Sequence, residues 1–386
     1  MILSCILLCL VLMVYSFAGY PALMALMARL RPKPWQARVQ SSAHEGLSVV
    51  LCVHNAATLI RPRLQNLQEC TWDGPLDIVV VCDGCIDGTV LEIREFASSQ
   101  VRVLERDQRG GKPAGLNLAI PQCHHQVVVL ADARQSFDVD ALQKLAAPFA
   151  DPNVDAVSGL LEIASSEAGG GQGVDLYWQL ETKLRAWEGQ YDSVIGCTGA
   201  ICAIRRDQYT PLPEDTLLDD VVIPMRLAVN GARIIYEPSA RAFDPQKLEP
   251  GREKNRKLRT LVGNFQMMER YPDWLLPWRN RLWWQLLSHK CLRLMVPWLM
   301  IALAVLSFLA ADALFGRLLL AAQGACYGAA MLGLALPKLK LRFLTIPAGF
   351  FMLQLSCFTA LFSYLWHRRN LLALWQPASS SPSSVA

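Results

Sequence analysis

Charge is what this sequence lacks most. Only 18% of its 386 residues are Asp, Glu, Lys or Arg, while 53% are hydrophobic; soluble domains carry about 25% charged residues. So apolar a chain is neither disordered, nor collagen-like, nor a small disulfide scaffold. The net charge of +4 is too slight to argue for a nucleic-acid partner. Cys82 and Cys85 are spaced C-x-x-C, but no second Cys or His pair has matching ligand spacing, which disfavours a metal site of the usual pattern. The other cysteines are scattered, as reduced thiols are. No G-x-x-x-x-G-K-[ST] is present, which disfavours a P-loop nucleotide triphosphatase. The string Gly169-Gly170-Gly171-Gln172-Gly173 follows no strand, so it reads as a loop and not as a dinucleotide fingerprint.

The hydrophobic excess is concentrated at the two ends. Residues 1–28 form an apolar run without charge, long enough to span a bilayer core of about 30 Å. Arg29, Arg31 and Lys33 follow it, the pattern of a signal anchor that leaves what comes next in the cytoplasm. Residues 29–46 read as a linker. From 47 to 271 short β-branched runs alternate with amphipathic stretches, predicting an α/β domain with a mostly parallel sheet. The strands expected are Leu47–Val53, Asp77–Cys82, Val101–Leu104, Gln126–Ala131, Val154–Ser158 and Arg233–Tyr236. Residues 272–290, rich in Trp and Arg, read as an interfacial amphipathic helix. About three transmembrane segments are expected in 291–366, and a disordered Ser/Pro-rich tail in 367–386. Lys338, Lys340 and Arg342 place one connecting loop in the cytoplasm, yet His367, Arg368 and Arg369 end the last segment. Either the charge rule fails there or one segment does not cross.

In a parallel sheet, ligands bind beyond the carboxyl ends of the strands, and acidic residues stand at these ends. Asp83 closes one strand and opens Asp83-Gly84-Cys85-Ile86-Asp87-Gly88, where it can accept hydrogen bonds from a base or ribose; a plain Asx-turn is the competing reading. Asp132 holds the same position on another strand and could anchor a divalent cation against a diphosphate, or simply pair with Arg134. Between them, Arg109-Gly110-Gly111-Lys112-Pro113 is a basic loop opening a helix, suited to phosphate contact. Asp219 and Asp220 begin another helix. They serve either as N-terminal charges or as a repelling pair, one of which has a raised pKa and acts as a general base. Arg256 and Arg259 share a helix face at i, i+3 within a basic run, Arg252 to Arg259.

Seven segments occur in a telling order: LSVVLCVHNAA (47–57), DIVVVCDGCIDGT (77–89), RGGKPAGLN (109–117), VVVLADARQSF (127–137), GCTGAICAIRR (196–206), LLDDVVIPMRL (217–227) and NRKLRTLVGNFQ (255–266). Together they resemble a membrane-bound family 2 glycosyltransferase of the GT-A fold. The flanking segments look like those of processive synthases that make cellulose, hyaluronan or poly-N-acetylglucosamine. The resemblance implies that Asp83 contacts the donor's nucleotide base, with Asn55 at the neighbouring turn. It implies that Asp132 is the first carboxylate of a metal-binding Asp-x-Asp, that Asp220 is the catalytic base beside Asp219, and that Thr198 and Gly199 line the acceptor site. Arg256 and Arg259 fall on the segment that caps the donor diphosphate, and Lys112 and Arg134 join the donor site. Three departures stand out: Ala56 replaces a Glu, Arg134 replaces the second carboxylate of Asp-x-Asp, and Arg256 and Thr260 replace the Gln and Trp of the processivity-associated motif.

The expectation is thus an inverting transferase in the inner membrane, multi-pass, with its catalytic domain cytoplasmic. It moves a sugar from a UDP-linked donor to a glycan or lipid-linked acceptor, with Mg2+ or Mn2+ dependence opened to question by Arg134. Two alternatives stand beside it: a polyprenyl-phosphate monosaccharide transferase, and a degenerate, non-catalytic membrane scaffold.

Overall fold

The computed structural model describes residues 1–36, 46–96, 98–163, 172–244, 250–336, 339 and 341–371. Most of the linker, the glycines Gly169 to Gly171, Lys338, Lys340 and the tail from Pro377 lie outside the described residues, as do the side chains of Arg252 and Lys254.

The chain opens with one long helix, α1 (Ile2–Leu30). There follow β1 (Leu47–Val53), α2 (Ala57–Glu69), β2 (Leu76–Asp83), α3 (Thr89–Glu95), β3 (Val101–Arg106), α4 (Lys112–Ala119), β4 (Val127–Ala131), β5 (Ser136–Phe137), α5 (Ala141–Ala146) and β6 (Val154–Ile163). Next come α6 (Gln172–Tyr191), β7 (Ile201–Arg205), α7 (Asp219–Val229), β8 (Arg233–Asp244) and α8 (Pro250–Arg270). The chain continues into α9 (Trp283–Leu309), α10 (Leu314–Ala335) and α11 (Arg342–His367).

The eight strands form one sheet in the order β3-β2-β1-β4-β7-β6-β8-β5. The pairs β3–β2, β2–β1, β1–β4 and β6–β8 are parallel; β7 runs antiparallel to β4 and β6, and β5 to β8. Successive side chains of a strand point to opposite faces, and here both faces are covered. Val49 and Leu51 pack with Ile60 and Leu64 of α2 and Leu142 and Leu145 of α5. Val50, Val79 and Val81 pack with Leu116 of α4 and Val222 and Met225 of α7. That double burial is why β1, β2 and β4 read as continuous apolar runs. The expected strands recur, β1 with the same ends and the others with shifted ones, and β5 and β7 are added. Pro148 belongs to a 3-10 turn (Ala147–Ala150) that directly follows α5.

Among the described residues four helices, α1, α9, α10 and α11, are long and apolar enough to cross a membrane by length and composition. The helix expected over 272–290 is not one element. Pro272–Leu275 is a 3-10 turn, and Trp283 already begins α9. Pro272 and Pro277 interrupt helical backbone, while Arg281 ties the intervening turn to the α/β domain through Asp192 and the carbonyls of Ala228 and Ala232. The apolar segment therefore starts earlier than residue 291.

A buried polar cluster joins this helix to the domain. His289 bridges two carboxylates, Glu188 through Nδ1 and Glu181 through Nε2, each at 2.8 Å. Arg293 Nη1 donates to Glu181 at 2.9 Å and Tyr20 Oη to Glu188 at 2.6 Å. Burial raises the Glu181 pKa, but His289 and Arg293 outweigh it and hold the carboxyl well below its ordinary value. Buried charges of this kind are tolerable only when paired and hydrogen-bonded. The cluster fixes where α1 and α9 meet α6.

Candidate active site

The strand ends converge on a cavity of about 1850 Å3. At the end of β2, buried Asp83 accepts hydrogen bonds from the backbone N–H groups of Gly110 (2.9 Å) and Gly111 (2.7 Å), with Arg106 at 3.6 Å. The carboxylate thereby holds the basic loop over the sheet while still lining the cavity. The turn reading belongs to Asp87, which accepts from the N–H groups of Ala57 and Thr89. Asn55, at the end of β1, is in the left-handed region (φ 49°), which Asn tolerates better than most residues. Its Oδ1 accepts from the Ile86 N–H at 2.9 Å, clasping the two turns together.

Gly84 has φ +63°, and a Cβ there would lie 2.7 Å from the Arg109 backbone nitrogen. Backbone does not yield as a flexible side chain does. Gly84→Ala is therefore expected to cost about 1–3 kcal/mol, measured as a lowered Tm of the purified protein, with weaker nucleotide binding because the 109–112 loop is displaced.

Lys112 is the hub. Its Nζ donates to Asp132 Oδ1 at 2.8 Å and to the Gly199 carbonyl at 3.0 Å, and lies 3.6 Å from Asp219 Oδ2. Burial works against its charge, but Asp132 and Asp219 outweigh it and raise the Lys112 pKa. The ammonium thus joins the end of β4, the loop before β7 and the start of α7. That loop leans directly on the catalytic candidate: the Cys197 N–H donates to the Asp220 carbonyl at 2.8 Å. A Cβ on Gly199 would stand 3.3 Å from the Asp220 Cβ.

Asp219 and Asp220 both lie in the first turn of α7. Burial first, then the neighbouring Asp219, push the Asp220 carboxyl up to about 6, against the pull of Lys290, Lys112 and Arg185. A partly exposed carboxylate facing a cavity with its pKa moved towards neutrality has the properties of a general base.

Arg134 also lines the cavity, but its guanidinium is bonded to buried Asp244 at the end of β8, which also accepts from Gln135 Nε2 at 3.0 Å. The Arg134 charge is thus paired with Asp244. Among the described residues no three His, Cys, Asp or Glu side chains gather to hold a metal ion. The residues nonetheless fit a divalent cation of the kind that takes one carboxylate and completes its shell with phosphate oxygens and water. Asp132 lines the cavity with its side chain 42% exposed, a carboxylate open to the space that a diphosphate would enter.

Arg256, Lys257 and Arg259 of α8 line the cavity, as do Thr198 and Gly199. The site thus brings together the residues that the sequence proposed. Arg185 and Ser158 went unnoticed. Arg185 Nη1 donates to Thr198 Oγ1 at 3.0 Å, and Ser158 Oγ accepts from the Thr198 N–H at 2.9 Å. No motif marks either residue; the only hint of Arg185 was its i, i+4 spacing from Glu181. α11, Gly333 and Leu334 of α10 and Phe17 of α1 line the same cavity.

The profile of glycosyl transferase family 2 matches residues 48–210. Residues 48–210 form a family 2 glycosyltransferase domain. This glycosyltransferase domain contains β1 through β7, with α7 and α8 adding the remaining cavity residues. A mannosyltransferase from Pyrobaculum calidifontis, solved in complex with GDP-Man and Mn2+, shares the fold with a TM-score of 0.70. The match covers 94% of this chain and 99% of that one at 23% identity. The α/β domain therefore has the GT-A fold. Among curated proteins, the poly-beta-1,6-N-acetyl-D-glucosamine synthase of Staphylococcus aureus is 24% identical over 217 residues, 51% of this chain and 49% of its own. The beta-monoglucosyldiacylglycerol synthase of Nostoc sp. is 24% identical over 213 residues, 51% of this chain and 44% of its own. The chain spans about half the length of the curated relatives it matches.

Proposed function

We propose that the protein is an inverting membrane glycosyltransferase that moves a sugar from a nucleotide-diphosphate donor to a glycan or lipid-linked acceptor. The observation that carries this reading is the Asp220 carboxylate, with its pKa near neutrality, beside the Lys112 hub in the cavity of a family 2 domain. Asn55 and Asp83 flank the nucleotide. Lys112, Arg256 and Arg259 face the diphosphate. The acceptor hydroxyl, placed by Thr198 and Gly199, loses its proton to Asp220 as its oxygen attacks the anomeric carbon. The bond from that carbon to the phosphate oxygen breaks, and its electrons leave with the nucleoside diphosphate. When bound, a divalent cation on Asp132 neutralises the diphosphate.

The donor is proposed to be UDP-linked, in line with the synthases that the sequence resembles. The mannosyltransferase of similar fold was solved with GDP-Man, so the discriminating assay gives membranes radiolabelled UDP-sugars and GDP-sugars in parallel. Label entering lipid or polymer from a UDP-sugar supports the reading, and transfer from a GDP-sugar alone would replace the UDP assignment. No transfer from either, by protein that is folded in the membrane, contradicts the enzymatic reading. A lipid acceptor is favoured over a growing polymer by one observation: a long stretch of α11, from Thr345 to Ser363, lines the same cavity as Asp220. Product size on thin-layer and size-exclusion analysis separates a single glycolipid from a chain. Chelation with EDTA is expected to remove at least nine-tenths of the transfer, with recovery on adding Mn2+ or Mg2+; activity unchanged by chelation would remove Asp132 from the metal role.

A further inference from the structure

The fourth apolar helix does not behave as a crossing. A helix that spans a bilayer touches a cytoplasmic domain only with its nearest turns. α11 packs on the catalytic domain through its second half, while its first half borders the active cavity from Thr345 onwards and packs on α1 and α10. Near its start, Phe350 packs on Phe17 at 5.3 Å, and Phe17 itself lies beneath Arg293 (5.8 Å) of the buried polar cluster. In its second half, Cys357, Ala360 and Tyr364 pack with Leu217 of the domain, Val262 and Phe265 of α8, and Leu294 of α9. Tyr364 Oη and Arg368 both donate to Glu269 near the end of α8.

Both ends of α11 therefore lie on the side of the catalytic domain. Residues Thr345 to Ser363, a length of about 27 Å at 1.5 Å per residue, all fall within the stretch that lines the active cavity. Its beginning crosses the last turn of α10 closely, because a Cβ on Gly333 would meet the Leu344 carbonyl oxygen at 2.5 Å. By contrast, α9 and α10 are joined by a short turn, Ala310 to Ala313, whose one charged residue is Asp312.

We propose that α11 is a membrane-surface helix rather than a crossing: one side of it rests on lipid, the side that carries its hydroxyl groups walls the active cavity, and both its ends share the side of the catalytic domain. Phe343, Leu355 and Trp366 are exposed, at 45% to 86%, and form the lipid-facing side. Thr345, Gly349, Ser356, Thr359 and Ser363 line the cavity, interleaved with Ile346, Phe350, Met352 and Leu353. The charge distribution fits, with Arg342 at one end and Arg368 and Arg369 at the other, because basic residues are retained in the cytoplasm. A helix with an apolar face, a polar face and basic ends is the kind that lies in the lipid–water boundary. The inference rests on reading α1, α9 and α10 as crossings, and it makes three the number that separates the N-terminus from the C-terminus. The cavity then opens at the lipid surface, where an amphiphile can present its polar head to Asp220.

Alkaline phosphatase, active only outside the cytoplasm, and a fluorescent protein that folds only inside it would be placed in turn after Ala311, after Leu339 and after Ala386 of the full chain. The expected result is phosphatase activity after Ala311 alone, with fluorescence after Leu339 and Ala386. Phosphatase activity at the C-terminus would overturn the proposal, and so would Leu339 on the outer side, because either places α11 across the membrane. Fluorescence at all three positions would overturn it too, by removing the α9–α10 crossing on which it rests. The readout requires no turnover, so it stands or falls independently of the proposed transfer reaction.

Discussion

Asp220→Asn is expected to lower kcat by about 10^2- to 10^4-fold, the usual contribution of a positioned general base, while leaving donor affinity within a few-fold of wild type. Asn preserves the size of the side chain and removes only its capacity to take a proton. The wild-type rate should also carry an acid limb. A base with its pKa pushed up to about 6 is half protonated at that pH, so kcat should fall about tenfold per pH unit well below it and level off above pH 7. The same raised pKa makes Asp220 a source of instability above its unfolded value near 3.9, because deprotonating it costs more in the folded protein. Stability gained by protonating this residue should appear as pH falls from about 7 towards 4. Rate and stability would then move in opposite directions over that window. In Asp220→Asn both dependences should disappear together, and an acid limb that survives in the variant would assign it to another group.

Lys112→Ala is the second large effect. It removes the cation shared by Asp132, Asp219 and the Gly199 carbonyl, leaving two carboxylates facing each other across a space where a diphosphate has to enter. A loss of about 10^2- to 10^3-fold in kcat/KM is expected, comparable to removing a donor that stabilises developing charge, and it should include a raised donor KM. Lys112→Arg tests the alternative that only a positive charge is needed. Arginine is planar and longer, so rescue should be partial if contact with three groups at once is what matters. Full recovery with Arg would reduce Lys112 to a bulk charge.

Much of this site was visible in the sequence because it depends on strand ends. Asp83 and Asp132 terminate apolar runs that only a doubly covered parallel sheet produces, and a chain position at such an end is already a position in space. Asp219 and Asp220 were readable for the same reason, as the first turn of a helix. Contacts between distant segments were not. The Arg134–Asp244 pair spans 110 residues, so the sequence showed a missing carboxylate without showing what neutralises the residue that replaced it. β7 was overlooked because five residues, Ile201–Arg205, carry no recognisable period, although the surrounding motif was recognised. The limits of α9 were misjudged because Trp and Arg suit both an interface and the first turns of an apolar helix. α11 shows the same ambiguity: hydropathy measures how apolar a segment is, not whether it lies across a bilayer or along it.

The stereochemistry of the product tests the central claim most directly. If Asp220 deprotonates an acceptor that displaces the nucleoside diphosphate in one step, the new glycosidic bond must have the anomeric configuration opposite to the donor's. Proton NMR of the isolated product, from a donor of known configuration, reads this in the anomeric coupling constant. Inversion is the expected result. Retention of the donor's configuration would require a second displacement or a different face of attack, and would contradict the role assigned to Asp220.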